Sequence, residues 1–242
     1  MDKMTDETIQ ALLNQLNTGN GDAQIFIRKL SDSVDIARVF VEIPKPNDRI
    51  NGSPMKVFSI YFIKANNEKY VGAVIDFNET NLQWYVDPKH RKQGYLTIAL
   101  KFSILPYILD IREHQNITIE NDNMGQSESV AFNVGFKKIE NDEHGRAQYQ
   151  FVPDFYEKLP ELNEWNISIT ENRIRDIKQE LHYYARKLAI LYNETQMGFG
   201  ENLHSRGYFL KFKNIIANIE GLGYRMESIN RDMSEEKKKQ IP

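Results

Sequence analysis

Three basic side chains and one glycine stand together in HRKQGYLTIALK, which runs from His90 to Lys101 and follows LQWYVDP. The order is an apolar run ending at Pro88, a basic turn, and then apolar residues at helical spacing. Such a turn can aim several backbone N–H groups at one point. The helix after it adds its own unsatisfied N–H groups and the positive end of its dipole. The chemistry that fits is the holding of an anion such as a pyrophosphate. Gly94 permits positive φ or a close backbone approach, Arg91 and Lys92 bring charge, and the Thr97 hydroxyl can add a hydrogen bond. Taken alone, the pattern equally describes an ordinary surface loop. It lacks the Gly-Lys-Ser/Thr ending of a Walker loop and the glycines of a dinucleotide fingerprint. GFGEN at 198–202 follows no strand and lacks a third glycine, so it is expected to be the connection of a helical hairpin.

Other chemistries are closed by composition. The chain has no cysteine, which excludes disulfides, thiolate nucleophiles and thiolate metal sites. His114, His144, His182 and His204 show no metal-ligand spacing, so no metal site is expected, and His90 is expected to face water. A net charge of −3 speaks against a general nucleic-acid binder. The 242 residues are 40% hydrophobic, which supports a sizeable core. No run of ~18 apolar residues offers a membrane span. MDKMTDETIQALLNQL lacks the pattern of a secretory signal, and a cytoplasmic protein is the expectation.

The elements that would position the basic turn follow from periodicity. Ile9, Leu12, Leu13 and Leu16 predict a helix over 5–17. AQIFIRKL predicts a strand, and SDSVDIARVFVEI predicts a short helix capped by Ser31 or Asp32. Three strands near 55–64, 70–77 and 81–86 form an antiparallel meander. A helix over 95–110 follows, with Pro106 expected to kink or end it. NITIE is a short strand, SESVAFNVGF a helix stopped at Gly135, and FKKIE and AQYQFVPD two more strands.

In that order, VDPKHRKQGYLTIALK resembles motif A of the GNAT superfamily of acyl-CoA-dependent N-acyltransferases, whose core is Arg/Gln-x-x-Gly-x-Gly/Ala. NDNMGQSESVAFNVGFKKIE resembles its motif B, which ends in Gly-Phe. The wording is nearest the branch that acetylates ribosomal-protein N-termini, and the resemblance covers about residues 20–155. It implies an α/β (α+β) fold with a mixed, mostly antiparallel twisted sheet and flanking helices over residues 1–158. It also implies acetyl-CoA as co-substrate. Arg91, Lys92, Gln93, Gly94, Tyr95, Leu96 and Thr97 match the pyrophosphate loop. Tyr85 and Val86 would offer backbone to the pantetheine arm, and Asn123 and Ser127 match polar positions of motif B that touch the coenzyme.

Acyl transfer to an amine needs an oxyanion donor, a base and an acid for the leaving thiolate. The resemblance gives a backbone N–H of the 81–86 strand as the donor. It gives Glu120, beside a splayed strand pair, or Glu79 as the base. Leu96 stands where the family prefers glycine or alanine, and it either joins the helix's core face or crowds the phosphates. Ala131 stands where many relatives carry the tyrosine acid, and Asn123 lies one residue farther from Ser127 than the pattern asks.

Residues 159–242 lie outside the resemblance. Ser168 and Glu171 suggest a capping box. Ile174, Ile177, Leu181, Tyr184, Leu188 and Leu191 then repeat at spacings of three and four, as do Phe212, Ile215, Ile219, Leu222, Met226, Ile229 and Met233. These two seams predict an antiparallel hairpin, or a coiled coil with a second copy or another protein partner. The expected function is transfer of an acetyl group to an amine of a protein, peptide or small molecule through a ternary complex. The alternative is an inactive GNAT-like binding module acting through its C-terminal helices. The acceptor amine has no motif.

Overall fold

The computed structural model describes residues 4–19, 25–40, 57–66, 68–120, 124–141, 144–153, 169–200 and 203–239. It is a mixed α/β structure with antiparallel sheets, and it divides into two compact units, Met1–Leu162 and Asn163–Pro242.

In the first unit, helix α1 (Asp6–Asn17) begins at Thr5, whose hydroxyl accepts the Thr8 N–H. Strands β1 (Ile25–Lys29), β2 (Val34–Phe40), β3 (Val57–Ala65), β4 (Lys69–Asp76) and β5 (Leu82–Val86) form one sheet, each antiparallel to the next. Alternation along β3 sets its two faces. Ile60 and Phe62 meet Ile9 and Leu13 of α1, while Tyr61 and Ile63 enter the core on the other side. A bulge between Ile63 and Lys64 of β3 leaves Val71 of β4 without a register partner. Val71 and Val74 therefore join the same core despite their odd spacing.

The helix expected after residue 30 is instead β2. Ser31, Asp32 and Ser33 make the hairpin turn, with the Leu30 and Ser31 N–H groups both donating to the Val34 carbonyl. The same residue types cap helices and make turns, because their short oxygens reach nearby backbone. What decides between the two is pairing with β1 and β3 on either side, which no local pattern encodes.

After β5, α2 (Tyr95–Ala99) runs through a π-helical turn, Leu100–Ile104, into α3 (Leu105–Leu109). Pro106 was expected to kink or end this helix. The wide turn comes just before it, and the helix continues to Leu109. Strands β6 (Gln115–Ile119), β7 (Lys137–Asn141) and β8 (Ala147–Phe151) form a second sheet in the order β6-β8-β7. Helix α4 (Met124–Val134) ends at Gly135, where φ is 115°.

The second unit is an antiparallel pair, α5 (Glu171–Phe199) and α6 (Leu203–Lys239). Thr170, rather than Ser168, caps α5, its hydroxyl accepting the Arg173 N–H at 3.2 Å; Ser168 lies outside the described residues. Half of the expected seam holds, with Ile174 buried and Leu181, Leu188, Phe212 and Ile219 half-buried, and the alternate positions are displaced by one residue. Ala185 and Tyr192 turn inward, and Tyr184 and Leu191 are exposed. On α6, Phe209, Ile216 and Gly223 turn inward, and Ile215, Leu222 and Ile229 are exposed. Lys178 Nζ donates to both Glu227 carboxylate oxygens at 2.9 and 2.8 Å. A Cβ on Gly223 would lie 2.7 Å from Lys178 Cγ, so this glycine permits the close approach.

Candidate functional site

The site forms where β5 becomes the edge of the first sheet. Asp87 N–H bonds the Val71 carbonyl at 2.9 Å, and Tyr85 and Gln83 face Ala73 and Ile75. By antiparallel alternation, residues 84 and 86 direct their amide and carbonyl groups away from β4. The two sheets meet beside this edge through a side chain, with Thr118 N–H donating to Asn81 Oδ1 at 2.9 Å. Among the described residues no backbone ladder joins β5 to β6, so the strands part beyond that bond.

Gly72 holds β5 close to β4. A Cβ there would stand 2.7 Å from the Tyr85 carbonyl oxygen. Below it, Arg112 grips both Asp76 carboxylate oxygens at 3.0 and 2.8 Å and also bonds Gln115. The two side chains are only 10% and 5% exposed, and the pair fixes the β4 end against the start of β6.

The basic turn then leaves β5. Asp87 Oδ1 accepts the Lys89 N–H, and Arg91 Nε donates to the Val86 carbonyl at 3.0 Å. Lys92 adopts φ 61° and Gly94 φ 84°, two left-handed residues within three positions. At Lys92 this costs an L-residue about 1 kcal/mol. Among the described residues, neither Arg91 nor Lys92 forms a salt bridge. The Gly94 carbonyl accepts from Ile98 N–H, so α2 starts here with its first N–H groups turned toward the turn.

A cleft of about 520 Å³ lies between this turn, β5 and α4. That volume suits a ligand of ordinary size. Tyr85, Val86, Arg91, Lys92, Gly94, Tyr95, Leu96, Thr97 and Ser127 all line it. Gln93 does not; its side chain donates to the Lys89 carbonyl at 3.1 Å and steadies the turn. Leu96 is only 8% exposed and packs in the core with Ala99 and Leu100. Trp84 Nε1 reaches Ser127 Oγ at 3.4 Å across the cleft. Asn123 and the side chain of Glu79 lie outside the described residues.

Glu120 does not line the cleft, and its carboxylate accepts from Arg146 at 3.4 Å. Among the described residues, the carboxylate that does line it is Asp6, at the first position of α1. His90 lines it as well, its ring 6.3 Å from that of Tyr95. No spacing in the sequence ties Asp6 to residues 84–97; only the packing of α1 on the sheet brings it there. Burial first, then the carboxylates of Asp87 and Asp6, push the Tyr85 hydroxyl above its ordinary range. It stays protonated and donates to Gln10 Oε1 at 2.6 Å.

Compared with known proteins, the chain matches no family model and no curated protein sequence.

Proposed function

We propose that the cleft binds acetyl-CoA and that the chain transfers the acetyl group to an amine. The observation that carries this reading is the pairing of an edge strand with a basic, left-handed turn at one cleft. The turn offers Arg91, Lys92 and the first N–H groups of α2 to a pyrophosphate. The Trp84 N–H and carbonyl and the Val86 N–H face outward to the amide groups of a pantetheine arm, as an added strand would, while the Val86 carbonyl is held by Arg91. Leu96 is compatible with this, because its side chain belongs to the core.

In direct transfer, the amine lone pair forms a bond to the thioester carbonyl carbon. The C–S bond then breaks, the thiolate takes a proton and the nitrogen loses one. An outward N–H of Trp84 or Val86 is the oxyanion donor in this reading. Among the described residues, Asp6 and His90 are the cleft groups able to take the amine proton, and Glu120 would have to act from outside the lining. Among the described residues, Tyr95, Thr97, Ser127 and Ser129 are lining hydroxyls able to serve the thiolate in place of the tyrosine that Ala131 replaces.

Thermal unfolding with acetyl-CoA tests the binding. Coenzyme at about 100 times its dissociation constant adds about 2.7 kcal/mol, and Gly94→Trp removes that gain. No shift at millimolar coenzyme would sink the reading. Release of free thiol over a panel of peptides, polyamines and aminoglycosides then identifies the acceptor. If Asp6 is the base, Asp6→Asn lowers kcat about 10²-fold while Glu120→Gln stays within about twofold. The reverse pattern returns the role to Glu120. Coenzyme binding with no turnover on any amine would favour the binding-module alternative, for which the exposed hairpin row is the motive.

A further inference from the structure

One set of exposed apolar residues of the hairpin repeats every seven positions, Tyr208, Ile215, Leu222 and Ile229 on α6 with Ile177, Tyr184 and Leu191 on α5. All but the half-buried Ile177 are between 44% and 61% exposed. Each helix therefore carries three adjoining rows. One turns inward, with Ala185 and Tyr192 on α5 and Ile216 and Gly223 on α6. A middle row is shared, with Leu181 and Leu188 on α5 and Phe212 and Ile219 on α6. Among the described residues of the hairpin, the third row has no partner.

Geometry puts the two unpartnered rows on one side. Both helices turn the same two rows toward each other, and they run antiparallel. Viewed down the pair, their positions rotate in opposite senses, so the third rows emerge together. The other exposed row of α5, Tyr183, Ile190 and Met197, points to its outer side, and the matching positions of α6 are Gly207, Asn214 and Gly221. The exposed Leu210 and Tyr224 of α6 lie on a different row, Tyr224 against Lys178 and His182.

Size and charge identify the occupant. The 29 residues of α5 make the face ~43 Å long, and two helices make it ~19 Å wide. That is ~800 Å², the share each partner gives to a standard stable interface. Beside the row on α5 stand Arg173, Glu180, Lys187 and Glu194, seven residues apart and alternating in sign. Laid antiparallel on its own copy about Tyr184, α5 sets Arg173 opposite Glu194 and Glu180 opposite Lys187. It also sets Ile177 against Leu191 and Tyr184 against itself. Parallel pairing would set every charge against its like.

Within one chain, Arg173 reaches Glu180 along its own helix at 2.9 Å, an exposed pair of little weight that leaves Lys187 and Glu194 out. On α6 the same two-fold sets Tyr208 against Ile229 and Ile215 against Leu222. The two centres agree in height, because His182 meets Tyr224 and Tyr192 meets Phe212, which levels Tyr184 with the stretch between Ile215 and Leu222. Lys211, Asn218, Arg225 and Asp232 flank the α6 row without such alternation, so α5 sets the direction.

We propose that the hairpin pairs face to face with a second copy of this chain, with α5 antiparallel to its counterpart about Tyr184.

The native sequence has no cysteine, so single cysteines report cleanly. With a short bis-maleimide on the full chain, Tyr184→Cys links to itself. Ile177→Cys and Leu191→Cys each fail alone and link when mixed. Sedimentation gives twice the chain mass. Leu222→Glu gives a single-chain mass with helical circular dichroism retained, since the side chain is exposed. Lys187→Glu weakens association about threefold to tenfold, and adding Glu180→Lys restores it. A single-chain mass at ~100 μM would overturn the proposal. So would a dimer that withstands Leu222→Glu, or self-linking of Ile177→Cys.

Discussion

Tyr61 on β3 and Tyr184 on α5 are the same residue in two different solutions to burial. Tyr61 is 2% exposed, held between the sheet and the helices that cross it. Tyr184 is 54% exposed, on a helix paired with α6. The difference is architectural. A strand inside a sheet has two faces, and here α1 covers one while α2, α3 and α4 cover the other. A helix in a two-helix hairpin can bury only one stripe. The sheet unit therefore closes its own core, while the hairpin leaves a whole apolar row uncovered. Catalytic geometry needs the first kind of region, because a cleft is only as fixed as the elements beneath it. Partner surfaces come from the second kind.

The largest effect expected from this contrast is in stability. Phe62→Ala should cost about 3–5 kcal/mol in chemical denaturation, as for other large buried side chains. A cost near zero would show that the sheet core is not closed. Hydrogen exchange gives the next largest separation. At low concentration, amides of α5 and α6 should exchange about 10²-fold faster than those of β3 and β4, and the hairpin's protection should rise with concentration. Equal protection at every concentration would erase the distinction.

Alkaline pH sharpens it further. Burial raises the hydroxyls of Tyr61, Tyr70 and Tyr149, with hydrogen bonds to Asp35 and Glu128 adding to the effect at the last two. Tyr149 is pushed up to about 12. Folding thus favours the protonated phenol. The stability is full below the unfolded value of about 10 and is lost as pH rises from there toward 12. Unfolding followed by sheet fluorescence should shift over that window. The smallest effect is Ile215→Ala, which should change the stability of the single chain by less than about 0.5 kcal/mol.

What could be read in the sequence follows the same division. Strands β3, β4 and β5 were legible because β-branched and aromatic runs alternate with Asn-rich turns, and those local signals agree with the sheet they join. The stretch at 34–40 was not, because Ser31 and Asp32 serve turn and cap alike and only two neighbouring strands decide. Alternate positions of the hairpin seam slipped by one residue because three adjoining rows are apolar enough to qualify, while Ile174, Leu181 and Leu188 kept their places. Ala185 and Gly223 won places that hydrophobicity gave to Tyr184 and Leu222, since close approach favours small residues. The basic turn was legible in its residue types. Asp6 was not, because its place depends on how α1 packs.

Gly72 never touches the cleft, yet it governs where the edge of β5 stands. Replacing side chains with alanine finds functional residues by subtraction. At this position the same exercise works by addition. One methyl would stand 2.7 Å from the Tyr85 carbonyl oxygen and force the strand that carries Trp84, Tyr85 and Val86 to move. A search for the residues of this site that asks only which side chains matter would pass over the one whose contribution is to have none.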